Sequence, residues 1–411
     1  MPRSLKHAWI LSHYAQRPMD KGGLTRHHSL GKYLPSHGWR VTIVTASTDH
    51  PSGRQRIEES EQAPEAFDGI PYLWLRTPDY AGNGLDRIRN MLTFGWRALL
   101  SPAMSSLAKP DIILGSSPHP MAALAASWLA RRHRVPFVYE VRDLWPEALI
   151  DMGRIRAGGA TARAMRKIER SLFLSACRSV VLWPNIEAYM REQGIQAPSP
   201  AWIPNGVDFA ALPPPSPVPD RGEFTLMYLG AHGGANALEN VIRAMRLVQD
   251  RPQRMPVRLR LIGDGPDKPR LRTLATEIGL QNVRFEDAVE KQIVPQVAAE
   301  ADAFIFNLVG APMFRYGISP NKLYEYMAAQ RPVIFSCEAF NNPIAESGGG
   351  VSVPPGQPSR LAAAILELAE TPLERRREMG AAARRHAEMH FGSDRLAQRL
   401  ADVFDQCVDT A

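Results

Sequence analysis

Short apolar runs alternate with amphipathic stretches along the whole chain. The apolar runs lie at 7–12, 40–46, 111–116, 136–141, 179–183, 224–230, 257–263, 282–286, 302–308 and 331–336. Runs of this length, rich in β-branched residues, predict strands that are buried on both faces. Because helical stretches such as 121–133 separate most of them, the pattern predicts βα repeats that build parallel sheets.

The length of the chain indicates two domains. It has 411 residues, 45% of them hydrophobic and 22% charged, and a chain of this size normally divides into domains of up to about 200 residues. The proline-rich segment 212–220 cannot continue a helix or a sheet, so it predicts a semi-rigid linker. Open α/β sheets bind ligands beyond the carboxyl ends of their strands, so we expect a cleft between two such sheets.

Charge and cysteine content narrow the classes of function. The formal net charge of +7 and the pI near 9.4 favour anionic partners, but the scattered basic residues and the lack of a nucleic-acid-binding motif argue against nucleic acid. Cys177, Cys337 and Cys407 form no CxxC pair, so neither a metal site nor a disulfide is expected. With no run of ~20 apolar residues and no apparent signal peptide, we expect a cytoplasmic protein.

The stretch 316–334, YGISPNKLYEYMAAQRPVI, carries the strongest site signal. Ser319 followed by Pro320 predicts a helix whose first amides are capped by the serine hydroxyl. Pro332 predicts the end of that helix, and the β-branched pair after it opens a strand.

Charged side chains gather around the start of this helix. Arg315 and Lys322 lie near its positive end, where the macrodipole disfavours cations, so a bound anion is expected there. Glu325 shares a helix face with Asn321 and Lys322 and could accept hydrogen bonds from sugar or ribose hydroxyls. An ordinary amphipathic helix with solvated charges is the alternative interpretation.

These residues resemble the donor-site helix of retaining glycosyltransferases of the GT-B fold, family 4, in the polysaccharide, O-antigen and capsule assembly branch that carries a YGISPNKL-type segment. The resemblance covers nearly the whole chain. It implies an α/β fold of two Rossmann-like parallel-sheet domains facing across a cleft: an acceptor-side domain at 1–208, a linker at 209–221, a nucleotide-sugar-binding domain at 222–392, and a helix at 393–411 that returns to the first domain. A UDP- or GDP-sugar would be the co-substrate, with no other cofactor.

Two glycine loops follow strands in the second half. Gly230, His232 and Gly233 lie in one, and LIGDGP, with Gly263, Asp264 and Gly265, forms the other. Glycines let the backbone approach a phosphate or ribose, although a plain strand–helix turn is the alternative. Neither GxGxxG nor GxxxxGK[ST] occurs, which removes the strongest support for dehydrogenase and P-loop functions.

Three positions depart from the resembled family. Ala231 and Asn236 replace the arginine and the lysine that usually neutralise the diphosphate, so His232, Arg315 and Lys322 are expected to compensate. Gly317 replaces the first glutamate of an E-x7-E pair that ends at Glu325. Backbone amides near Ser319 would then contact the donor sugar, and a deoxy or amino sugar would be consistent with this.

The first half supplies candidates for the acceptor side. Arg142 and Asp143 follow a predicted strand, where the family often has His–Asp. Arg142 could hold a phosphate and Asp143 could orient or deprotonate an acceptor hydroxyl, although Asp143 could equally cap a helix. His119 either faces the same cleft or belongs to a simple turn. Gly22 and Gly23 lie in the loop that touches the donor phosphate and the acceptor in the resembled fold.

The segment 85–104 mixes arginines with large apolar residues. It suits either an anionic membrane surface or ordinary packing on the sheet. The resemblance implies an enzyme that transfers a hexosyl or N-acetylaminosugar residue, with retention, from a nucleotide sugar to a lipid-linked glycan acceptor, at the inner face of the plasma membrane. No DxD motif occurs, so no metal is expected. The alternatives are a non-catalytic membrane-surface partner and a sugar-nucleotide epimerase of the same fold.

Overall fold

The computed structural model describes residues 5–18, 25–57, 64–82, 84–218 and 220–410, and the chain forms two compact α/β units. The first unit comprises Met1–Asn205 and Ser393–Ala411, and the second comprises Gly206–Gly392. Short 3-10 helices occur at Leu34–His37, Phe209–Ala211, Gly234–Asn236 and Pro312–Tyr316. No helix in the described ranges is long and apolar enough to cross a membrane.

The described part of the first unit contains an eight-stranded sheet in the order β3-β4-β2-β1-β5-β6-β7-β8, in which only the β3–β4 pair is antiparallel. The strands are β1 (Lys6–Ser12), β2 (Trp39–Ala46), β3 (Glu65–Phe67), β4 (Ile70–Leu75), β5 (Ile112–Ser116), β6 (Phe137–Val141), β7 (Arg178–Val181) and β8 (Ala201–Trp202). The helices between them are α1 (Arg26–Tyr33), α2 (Leu85–Leu100), α3 (Pro102–Ser105), α4 (Pro120–His133), α5 (Glu147–Asp151), α6 (Ala160–Ser175) and α7 (Ile186–Glu192).

The described part of the second unit contains a fully parallel six-stranded sheet in the order β11-β10-β9-β12-β13-β14. Its strands are β9 (Phe224–Leu229), β10 (Val257–Ile262), β11 (Val283–Glu286), β12 (Ala303–Asn307), β13 (Val333–Ser336) and β14 (Gly350–Val353). Its helices are α8 (Leu238–Gln249), α9 (Lys268–Glu277), α10 (Val294–Ala298), α11 (Asn321–Ala328), α12 (Pro343–Ser347), α13 (Pro358–Glu370) and α14 (Leu373–Phe391). The predicted alternation of strands and helices is confirmed in both units.

The last helix, α15 (Ser393–Asp409), belongs to the first unit. Leu396 and Leu400 are buried in that unit's apolar core. The Phe404 ring meets the Trp39 ring edge-on at 5.1 Å, and the Trp39 indole N–H donates to Asp405 at 3.1 Å. The apolar face of α15 is therefore buried in the first unit.

Part of the proline-rich segment is fixed to the second unit. The fully buried guanidinium of Arg331 donates to the carbonyl oxygens of Ser216 at 3.0 Å and Pro217 at 3.2 Å. It also donates to the Ala299 and Ala301 carbonyls at 2.8 and 2.6 Å. Backbone carbonyl oxygens thus accept the hydrogen bonds of this buried guanidinium, which lies just before β13.

Candidate active site

Two glycine loops lie side by side at the carboxyl edge of the second sheet. The His232 amide donates to the Asp264 carbonyl at 2.8 Å. A Cβ on Gly263 would lie 1.9 Å from the Gly230 carbonyl oxygen, and one on Gly265 would lie 2.4 Å from that of His232. Gly230, Gly263 and Gly265 also have φ values of +153°, +143° and +157°, which favour glycine. The glycines are therefore required by the contact between the two loops themselves.

This contact corrects one prediction about phosphate binding. The Gly230 amide donates to the last carbonyl of β10 at 3.0 Å, so it is not available to a diphosphate. The amides of Gly233 and Gly234, at the turn that leads into α8, have no hydrogen-bond partner in the described ranges. These two amides can still contact an anion.

His232 does not fit the cationic role predicted for it. Its ring is fully buried, and neither ring nitrogen has a hydrogen-bond partner among the described residues. The rings of Tyr228 and Phe285 lie 5.9 and 6.4 Å from it. Burial, with a contribution from the charge of Lys268, lowers the pKa of His232 to about 4, so the ring is neutral at pH 7.

Lys322 does carry a positive charge at this edge. Its ammonium group donates to the Tyr228 hydroxyl at 3.2 Å and to the side-chain oxygen of Asn236, and it lies 5.0 Å from the centre of the Tyr228 ring. Burial lowers the pKa of Lys322 to about 8, so the group is mostly protonated at pH 7. No carboxylate of the described chain pairs with it.

Two of the three positions that depart from the resembled family, Ala231 and Asn236, help to hold the Lys322 ammonium group. Asn236 also donates to the Ala231 carbonyl at 2.8 Å, and Tyr228 donates to the same oxygen at 2.7 Å. A Cβ on Gly230 would lie 3.6 Å from the Lys322 side chain. Gly230 and Lys322, predicted from separate motifs, are thus brought together, whereas the role of Tyr228 was not predicted.

The start of α11 differs from the predicted capped helix. The helix begins at Asn321, and Pro320 rather than Ser319 occupies the N-cap position, so the prediction that Ser319 is the N-cap residue is wrong. The preceding loop is held instead by Asn341. Its side chain accepts from the Ile318 amide at 2.8 Å and donates to the Ile318 carbonyl at 3.0 Å.

The other residues predicted around α11 lie at its surface or in the loop before it. Glu325 is exposed, one turn beyond Lys322. Arg315 is exposed, and its guanidinium donates to the Tyr316 hydroxyl at 2.5 Å. Gly317 has a φ of +116°, which disfavours any residue with a Cβ, including the glutamate of the resembled family.

A buried carboxylate organises the carboxyl edge of the first sheet. Glu140, the fourth residue of β6, is fully buried. It accepts from Arg26 at 2.9 Å, His27 at 2.6 Å and Ser116 at 2.6 Å. Burial opposes ionisation, but His27 and Arg26 hold the Glu140 pKa well below its usual range. Burial lowers the His27 pKa against the effect of Glu140, whereas the Arg26 guanidinium is a permanent counter-charge. The only sequence signal for this network was an acid within an apolar strand.

Arg142 and Asp143 follow directly after β6, as predicted. The Ser117 hydroxyl accepts from their amides at 2.7 and 3.3 Å. The Arg142 guanidinium is half-buried and makes no hydrogen bond or ion pair with any described residue. Asp143 reaches solvent, yet the surrounding protein desolvates it and raises its pKa to about 6 against the effect of Arg142. With Ser117, Pro118 and others, Asp143 lines a cavity of about 10 Å³, roughly the size of one water molecule.

His119 has the turn role that was its alternative interpretation. Its Nδ1 accepts from the Met121 amide at 3.3 Å and so caps α4. Its buried ring packs edge-on against His13 and Tyr14, with centroid distances of 4.5 and 5.5 Å. Burial and the charge of Arg87 lower the His119 pKa to about 3, so it is neutral at pH 7. Gly22 and Gly23 lie outside the described residues.

Comparisons with known proteins agree with this architecture. Residues 22–206 match the glycosyl transferase 4-like domain, and residues 223–371 match glycosyl transferases group 1. WcaI of Escherichia coli K12, assigned as a glycosyl transferase of colanic acid biosynthesis, is 24% identical over 340 residues, which cover 78% of this chain and 82% of WcaI.

Two solved structures show the same fold. Sucrose-phosphate synthase of Thermosynechococcus elongatus superimposes with a TM-score of 0.75 at 17% identity, covering 99% of this chain and 100% of that one. HepE of Anabaena, in complex with UDP-glucose, superimposes with a TM-score of 0.65 at 16% identity, covering 98% of this chain and 99% of HepE. The fold is therefore the GT-B fold expected from the sequence. The chain belongs to the glycosyltransferases of family 4, with a 4-like domain followed by a group 1 domain.

Proposed function

We propose that this glycosyltransferase moves a hexosyl or N-acetylaminosugar residue from a nucleoside-diphosphate sugar to a hydroxyl of a growing, lipid-linked surface glycan, with retention of configuration. The observation that carries the proposal is Lys322, a desolvated ammonium group at the carboxyl edge of the second sheet with no carboxylate partner in the described chain. A group of this kind binds phosphate well, because charge-assisted hydrogen bonds are strongest where water is excluded.

The donor would lie along the start of α11. Lys322 and Arg315 would contact the diphosphate, together with the amides of Gly233 and Gly234, which have no partner among the described residues. Glu325, exposed one turn beyond Lys322, would accept hydrogen bonds from the ribose. The loop that Asn341 holds at Ile318 would present backbone groups to the sugar.

The acceptor would be held by the first unit. The Asp143 carboxylate would accept a hydrogen bond from the attacking hydroxyl, and Arg142 would contact a phosphate. Because His119 is neutral and caps α4, its role in this proposal is to fix the start of that helix.

The chemistry follows a front-face substitution. The bond from the anomeric carbon to the diphosphate oxygen breaks, the acceptor oxygen bonds to the same face, and the hydroxyl proton passes to the departing phosphate. The positive charge of Lys322 stabilises the negative charge that develops on the diphosphate.

The donor and acceptor classes rest on different grounds. HepE was solved with UDP-glucose, which supports a nucleoside-diphosphate sugar, and WcaI is assigned to the biosynthesis of a polysaccharide, which supports a surface glycan. Neither the epimerase nor the non-catalytic partner is favoured by these relatives.

Thermal stabilisation by nucleotides tests the donor site. UDP, GDP, ADP, CMP and NAD are compared at equal concentration, and we expect one nucleoside diphosphate to raise the melting temperature, since a ligand that binds only the folded state stabilises it. Lys322→Gln should abolish the shift, whereas Lys167→Gln, which removes an exposed lysine of the first unit, should retain it. No shift with any nucleoside diphosphate would refute the proposal.

Turnover tests the reaction itself. With a nucleotide sugar and a lipid-linked glycan, we expect release of the nucleoside diphosphate and a product whose anomeric proton coupling matches that of the donor. Conversion of the nucleotide sugar into an epimer without acceptor would instead establish the epimerase alternative.

A further inference from the structure

The helix α2 has two apolar faces, and packing among the described residues of the first unit uses only one of them. On the inner face, the Phe94 ring lies 4.8 Å from the His13 ring. A Cβ on Gly95 would lie 3.3 Å from Met121 of α4. The inner face therefore packs against the sheet edge and α4, as the interpretation of 85–104 as an ordinary packed helix predicted.

The outer face carries a continuous apolar stripe. Its five members are between 51 and 81% exposed: Leu85, Ile88, Leu92, Trp96 and Leu100. Their spacing of three or four residues places them on one side of the helix. A helix of 16 residues is about 24 Å long, so the stripe is far larger than the isolated exposed apolar residues of an ordinary surface.

Positive charge accompanies this stripe. Within α2 there are three arginines, Arg87, Arg89 and Arg97, and one acid, Asp86, which leaves a net charge of +2. Arg89 is exposed on the same side as the stripe. Arg87 instead lies on the inner face, where it donates to the Tyr14 hydroxyl at 3.0 Å.

A second exposed aromatic residue lies on the neighbouring helix α4. Trp128 is exposed, and the Arg132 guanidinium lies 5.6 Å from its ring centre. Trp128 follows Met121, which meets α2, by seven residues, so both lie on one face of α4. Tryptophan and arginine together are typical of the polar–apolar boundary of a bilayer.

We propose that the outer face of α2 docks on a membrane surface that contains anionic lipid. The helix would lie in the plane of the interface, with its apolar stripe among the acyl chains and with Arg89, and Arg132 of α4, among the lipid phosphates. Charge complementarity selects this occupant, because an anionic bilayer satisfies the apolar stripe and the net positive charge together. The docking rests on the proposed function only in that a lipid-linked acceptor would be met at the same surface.

Sedimentation with lipid vesicles tests the docking. We expect the protein to bind vesicles of phosphatidylcholine with 30% phosphatidylglycerol, and to bind less as salt rises, since salt screens the arginines. Leu92→Ser with Trp96→Ser should weaken vesicle binding about tenfold or more, because both apolar side chains lose their burial in lipid. The control Met152→Ser with Leu174→Ser removes two other exposed apolar residues of the first unit and should leave binding unchanged.

Three outcomes would overturn the proposal. The unmodified protein could stay in the supernatant, the outer-face variant could bind as the unmodified protein does, or the stripe could mediate lipid-independent self-association, which would assign it to a second copy of this chain. Transfer to a water-soluble, short-chain acceptor is measured alongside and should survive in the outer-face variant. Absence of transfer in both proteins would count against the proposed function and leave the vesicle result standing.

Discussion

Replacing Glu140 with glutamine tests the buried network of the first unit. The carboxylate is fully buried and accepts from Arg26, His27 and Ser116. Arg26 can only donate, whereas the Ser116 hydroxyl and a neutral imidazole can also accept. The substitution therefore deprives Arg26 of its counter-charge and leaves one oxygen, instead of two, to accept hydrogen bonds.

The expected loss of stability follows from this geometry. Removing one partner of a buried ion pair costs about 3–5 kcal/mol. Arg26 keeps its hydrogen bonds to the carbonyls of Ile203, at 2.7 Å, and Pro204, so we expect the lower end, about 3 kcal/mol. In a domain of this size 1 kcal/mol shifts the melting temperature by about 2–4 °C, so the transition of the first unit should fall by about 6–12 °C.

Calorimetry of Glu140→Gln at several pH values is the assay. Because its partners lower the folded-state pKa of Glu140, its stabilisation should be complete above the ordinary glutamate pKa of about 4.3 and be lost as the pH falls toward the folded-state value. Glu140→Gln should lack this pH-dependent part of the stability. The control is Glu147→Gln, whose partner Arg166 lies at 2.8 Å in a partly exposed pair worth no more than about 1 kcal/mol. A variant melting within about 2 °C of the unmodified protein would refute the reasoning.

Three further predictions concern single residues. Gly263→Ala should lower the free energy of unfolding of the second unit by about 3 kcal/mol in denaturant titration, because the added Cβ overlaps its neighbours and φ is +143°. The control Gly233→Ala has a φ of −124° and no described atom within 4 Å of the added Cβ, so it should change that free energy by less than about 0.5 kcal/mol. Nucleoside-diphosphate affinity, by titration calorimetry, should fall about tenfold as the pH rises through the Lys322 pKa of about 8, and a pH-independent affinity would exclude Lys322 as the phosphate ligand. The kcat of transfer should fall as the pH drops through the Asp143 pKa of about 6; Asp143→Asn should lack that step, and an identical profile would rule out the carboxylate.

The sequence predicts β1 and β2 well, but it misses both β4, a run of six mostly apolar residues, and β14. β1 and β2 are nearly continuous apolar runs and were predicted to within a residue or two. β14 is short and begins with Gly350, whose added Cβ would lie 1.9 Å from the Val333 carbonyl oxygen. This close contact with β13, rather than any local propensity, forms the strand, so its four residues alone could not reveal it.

At the proposed donor site, the sequence predicts the positions of residues better than it predicts their charge. The motif placed Lys322 at the start of a helix, but nothing in it identified Tyr228 and Asn236 as the groups that hold the ammonium. His232 was predicted as one of three residues that compensate for the arginine and lysine that the resembled family has at Ala231 and Asn236. Its burial beside Lys268 makes it neutral, and burial is a tertiary property that residue identity does not report.

Two of the predicted site cations, Arg142 and Lys322, share one property. Neither the Arg142 guanidinium nor the Lys322 ammonium forms an ion pair with any described carboxylate, although burial lowers the pKa of both. A desolvated cation without a counter-charge is unfavourable by several kcal/mol. The Lys322 ammonium is such a group, at the carboxyl edge of the second sheet, where α/β folds bind ligands. Arg142 differs, because the negative charges of Glu140 and Asp143 act on it without a hydrogen bond. A phosphate-bearing ligand beside Lys322 would supply the missing negative charge, so binding should be strongest at that edge.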